Sequence, residues 1–98
     1  MNAIASRFEI PATRFAASFA DHNGLAEYLT GDDIISLVDY LCWESFDFHI
    51  ERIDPVRDAF ESAYEAEEAG DWPLAQGLMA HAKALQALES AIARRFRP

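Results

Sequence analysis

Cysteine, glycine and proline are all scarce in this chain: one Cys, four Gly and four Pro in 98 residues. A lone Cys42 cannot form an internal disulfide, which makes a reducing compartment the expectation. So few glycines and prolines argue against an all-β protein, which needs many tight turns. No stretch approaches the roughly 20 apolar residues of a membrane span. Met1 to Ile10 contains Arg7 and Glu9 where a signal peptide would have its apolar run, so a cytoplasmic location is expected.

The groups that catalysis and metal binding require are also sparse. The three histidines, His22, His49 and His81, form neither Glu-x-x-His nor His-x-x-x-His, and there is no cysteine pair. The common di-iron and zinc patterns are therefore missing. Cys42 has no basic residue within a helical turn to stabilise a thiolate, so it reads as a buried thiol. No Gly-rich phosphate loop is present. Nothing selects an acid/base pair from the seventeen carboxylates. The expectation is a non-enzymatic protein with no metal and no cofactor.

Basic residues are scarcest where acids are densest. Fifteen of the seventeen acids lie between Asp21 and Asp71, against only Arg52 and Arg57. The other basic residues are Arg7, Arg14, Lys83, Arg94, Arg95 and Arg97, in the flanks, and the whole chain carries −9. Such a middle segment repels phosphates, which argues against direct nucleic-acid binding. A basic protein surface is the natural partner.

What the chain does have is apolar content, 51%, with 12% aromatic residues, enough for one compact core. Ala, Leu and Glu dominate, and all favour helix. The expected fold is all-α: a single domain over residues 1–98, built as a compact bundle of about four helices with a C-terminal helical hairpin.

Residues 1–10 have no clear pattern. Pro11 is placed as the first residue of a short helix carrying Phe15, Ala16 and Phe19 on one side. Asn23-Gly24 should end it, and a helical piece over Leu25–Leu29 follows. Thr30 and Asp33 have capping-box spacing, which starts the next helix near Asp32 or Asp33. Its apolar residues run from Ile34 to Ile53 and surround most of its circumference, as expected of a central helix. Asp54-Pro55 reads as an N-cap with proline at the first helical position. The helix after it places Val56, Ala59, Phe60 and Ala63 on one face and ends near Ala69, with Gly70 as its C-terminal cap. Asp71-Trp72-Pro73 opens the last helix, whose stripe is Leu74, Leu78, Leu85, Leu88 and Ile92, with Ala75, Met79 and Ala82 beside it.

Residues 55–88 resemble a helical hairpin of the tetratricopeptide type, with Ala63, Gly70, Trp72, Ala75 and Ala82 near that repeat's small-residue and turn positions. The resemblance implies two antiparallel helices. A single unit lacks the stacked neighbours from which such repeats build their core.

The most unusual pattern is an acidic ladder. Glu44, Asp47, Glu51, Asp54, Asp58, Glu61, Glu65 and Glu68 recur at alternating spacings of three and four. Residues so spaced share a helix face, roughly 5 Å apart along the axis. Like charges at this spacing destabilise a helix by a few tenths of a kcal/mol each, so an exposed face normally mixes signs. A plain solvated face is one reading. The other is a surface whose repulsion a basic partner relieves, with Glu44, Asp47, Glu51, Asp58, Glu61 and Glu65 as contact residues. Its sharpest form is a nucleic-acid mimic that occupies the groove of a nucleic-acid-binding protein. In size and charge the chain is similar to small acidic antagonists of restriction and CRISPR systems.

Aromatic anchors are expected beside the acids. Tyr40, Trp43, Phe46 and Phe48 lie among Asp39, Glu44 and Asp47; most should be core, with Tyr40 and Trp43 the candidates for exposed anchors. The alternative function is a helical adaptor or assembly subunit using apolar helix faces. Leu78, Leu85 and Ile92 are seven apart, which fits either core packing or a homodimer seam.

Overall fold

The computed structural model describes the backbone of residues 3–44 and 54–96, and side chains within residues 10–41 and 54–96. Four α-helices make up this part: α1 (Ala3–His22), α2 (Gly31–Glu44), α3 (Pro55–Glu68) and α4 (Trp72–Phe96). There is no strand among the described residues, and the fold is an all-α bundle.

The helix boundaries follow from local capping. Asn23 donates from its backbone and its side chain to the Phe19 carbonyl, at 3.0 and 2.8 Å, closing the last turn of α1. Gly24 then takes φ of 71°, where a side chain would be strained. A 3₁₀ turn over Leu25–Glu27 leads to the capping box. Thr30 Oγ1 accepts from the Asp33 amide at 3.2 Å, while Asp33 Oδ2 accepts from the Thr30 amide at 2.7 Å. With Thr30 in the capping position, α2 starts at Gly31, one or two residues before the expected start.

At α3, the Asp54 carboxylate accepts from the amides of Val56 and Arg57, and Pro55 occupies the first turn. Its other end closes as a Schellman motif: Gly70 N–H donates to Glu67 O and Asp71 N–H to Ala66 O, both at 3.0 Å. Gly70 supplies the φ of 79° that this closure needs. Asp71 then caps α4, accepting from the Leu74 amide at 3.3 Å. One residue thus ends one helix and begins the next, so α3 and α4 pack closely as antiparallel neighbours.

Three expectations are corrected. Pro11 does not start α1; it lies inside a 20-residue helix that begins at Ala3. Pro11 is exposed, so the carbonyl it leaves without an intrahelical donor can meet water, and the helix continues through it. Leu74 is 51% exposed, because the stripe on α4 joins the core only from Ala75 onward. Ile35 is 53% exposed, so α2 is not buried on all sides. The part of the expected central helix beyond Glu44 (residues 45–53) lies outside the described residues.

The core is rich in alanine. Ala12, Ala16 and Ala20 recur every fourth residue along α1, and Val56, Ala59, Ala63 and Ala66 line α3. Small side chains let helix axes approach closely, and the larger residues fill the centre: Leu37 and Val38 from α2, Leu88 and Ile92 from α4. Leu85 is buried as well, so the Leu85–Ile92 stretch of the heptad seam is spent within the monomer. An edge-to-face pair of Phe15 and Phe96, centroids 5.7 Å apart, joins α1 to the end of α4.

Candidate functional site

The buried stripe on α3 decides which way its acids face. With Val56, Ala59, Ala63 and Ala66 turned inward, Asp58, Glu61, Glu65 and Glu68 fall on the opposite side, and all four are exposed. They form a ridge about three turns long, at the alternating spacing seen in the sequence. One cation interrupts it: Arg57 Nε lies 3.1 Å from Glu61 Oε1. Both side chains of this pair are largely in solvent, at 78% and 57% exposure, where an ion pair contributes little. The ridge therefore keeps a net negative field.

The rest of the ladder divides. Asp54 is half-buried and serves as the α3 cap, so it is a structural carboxylate. Glu44 sits at the end of α2, on a different helix from Asp58, and its side chain lies outside the described set, as does that of Trp43. Asp47 and Glu51 also lie outside the described residues. Of the six acids singled out, the structure brings Asp58, Glu61 and Glu65 together on one face. Tyr40 is half-buried against the core.

The exposed rings are elsewhere. Tyr64 is 52% exposed and flanks the ridge, three residues from Glu61 and four from Glu68. Its ring stacks on Phe60 at 6.3 Å, which holds it in place. Trp72, 58% exposed, stands at the start of α4 next to the Gly70 turn. Tyr64 was legible in principle, since its spacing from the acids sets it beside them on a helical wheel. The exposure of Trp72 follows from the direction in which α4 leaves the turn.

On the other flank of the ridge is a cleft of about 260 Å³ between α2, α3 and α4. Asp33 and Ser36 come from α2, Asp58 and Ser62 from α3, and His81 from α4, over a floor that includes Ala59, Leu78 and Leu85. The orientation of His81 is set from behind: its Nδ1 is 3.0 Å from the Tyr28 carbonyl oxygen. A carbonyl only accepts, so Nδ1 carries the proton, and in the neutral ring Nε2 is the acceptor. Spacing along one helix cannot reveal this cleft, because it draws on three.

Among the described residues no group of three or more His, Cys, Asp or Glu side chains is placed to hold a metal ion. No helix among them is long and apolar enough to cross a membrane. No protein-family model, curated protein or solved structure matches the chain.

Proposed function

We propose that this chain is a non-enzymatic binding module that docks on a basic protein surface through the outward face of α3, and that it inhibits its partner by covering or mimicking a nucleic-acid contact. The observation that carries the reading is the four-carboxylate ridge of Asp58, Glu61, Glu65 and Glu68, exposed and offset by a single solvent-facing arginine. An isolated helix gains nothing from such a row, whereas a positively charged groove would remove its repulsion. Tyr64 beside the ridge adds an amphipathic ring of the kind that anchors interfaces. Glu44, Asp47 and Glu51 are further contact residues in this proposal.

The adaptor reading is weaker, because Leu85 and Ile92 are already buried in the monomer and cannot also form a seam with a second copy. The test is capture of partners from host lysate by the wild type and by a Glu61→Lys, Glu65→Lys, Glu68→Lys variant, with salt washes and competing DNA. The expected result is a nucleic-acid-binding protein that DNA displaces and the variant retains at least about tenfold less, mainly through slower association. Circular dichroism should show unchanged helix content in the variant. Equal capture by the helical variant would overturn the proposal.

A further inference from the structure

The cleft beside the ridge has a chemistry of its own. Its volume, about 260 Å³, falls below the roughly 300–1,000 Å³ of pockets for drug-sized ligands and suits one long side chain. Its described lining holds two carboxylates, Asp33 and Asp58, from different helices, and no lysine or arginine. The Asp33 cap uses Oδ2, so Oδ1 is not engaged by it. Two hydroxyls, of Ser36 and Ser62, add acceptors, and Leu78, Leu85 and Ala59 supply apolar floor. Anions are repelled by this lining, and an apolar ligand would leave two carboxylates desolvated. What fits is a cation on an apolar stem.

We propose that the cleft between α2, α3 and α4 receives an arginine side chain of the basic partner, its guanidinium shared by Asp33 and Asp58 and its methylene stem lying on Leu78 and Leu85. Arginine suits the site better than lysine. Its planar fork of donors can address two carboxylates from different directions, and its weak hydration lowers the cost of entering a half-enclosed cleft. His81, tied to Tyr28, forms the wall that α4 contributes. This inference rests on the reading of the chain as a binder of basic protein surfaces. Asp58 belongs to both the ridge and the cleft, so the cleft would convert a long-range attraction into a fixed register.

The test is a titration of the intact chain with N-acetyl-arginine amide, followed by amide chemical shifts in NMR. A fragment of this size should bind in roughly the millimolar range. Saturable shifts are expected at Ser36, Ser62 and His81, with none for the neutral citrulline analogue. Asp58→Asn should weaken the binding about three- to tenfold, whereas Asp21→Asn, the same loss of charge at an exposed position of α1 outside both the ridge and the cleft lining, should change it less than about twofold. Non-saturating shifts spread over the acidic residues, equal binding of the citrulline analogue, or an unaffected Asp58→Asn variant would each overturn the inference. The two readings fail separately. If the fragment does not bind while ridge reversal still abolishes partner capture, the cleft is wrong and the ridge stands; if it binds while ridge reversal leaves capture unchanged, the ridge is wrong.

Discussion

Two glycines show how much one backbone angle decides. Neither Gly70 nor Gly77 has a heavy atom within 4 Å of where a Cβ would stand, so packing does not separate them. Gly70 has φ of 79° and closes α3, whereas Gly77 lies within α4. Gly70→Ala should therefore destabilise the protein by about 1 kcal/mol, because an L side chain is strained at that angle. Gly77→Ala should stabilise it by about 0.5–1 kcal/mol through helix propensity and a less flexible unfolded chain. Urea denaturation of the two variants should move the midpoint in opposite directions. Movement in the same direction would mean that the Schellman closure is not what ends α3.

Among the elements, α1 departs furthest from the sequence reading. Proline inside a helix removes a hydrogen bond and crowds the preceding turn, at a cost of about 3 kcal/mol in a helix interior. Helix α1 accommodates it because Ala12, Ala16 and Ala20 bury their stripe immediately after it, while Pro11 itself faces out. Pro11→Ala should raise stability by about 1–3 kcal/mol, the lower end reflecting the greater freedom of the unfolded variant. Thermal unfolding should show a rise of several degrees, since about 1 kcal/mol corresponds to 4–8 °C in a domain of this size. An unchanged midpoint would mean that the segment before Pro11 adds no helix to the folded state. The α3–α4 hairpin is the opposite case. Each of its signals, Asp54-Pro55, Gly70 and Asp71, is local, and each was legible before the structure.

At the scale of the whole molecule, charge is the dominant feature. A net charge of −9, concentrated between Asp21 and Asp71, makes the folded state self-repelling. Salt should relieve this. Between about 10 mM and 150 mM NaCl the screening length falls from roughly 30 to 8 Å, and the melting temperature should rise by several degrees. The Glu61→Lys, Glu65→Lys, Glu68→Lys variant should show a smaller rise, because its ridge now mixes signs. An equal rise in both proteins would place the repulsion elsewhere and remove the ridge as its source.

What could be read from the sequence was what depends on neighbours along the chain: helix propensity, the caps at Thr30, Asp54 and Asp71, the stops at Gly24 and Gly70, and the spacing of the ladder. From these come the all-α class, the C-terminal hairpin and the outward direction of Asp58, Glu61 and Glu65, since a helix with one buried stripe must turn its other face to water. Tertiary structure decided the rest. Whether α1 continues through Pro11, whether Leu74 and Ile35 are covered, which rings stand in solvent, and whether Asp33, Asp58 and His81 meet around one cleft all depend on how the helices cross. The crossing is set by small residues packed across three or four helices at once, and such contacts leave no period in a single chain.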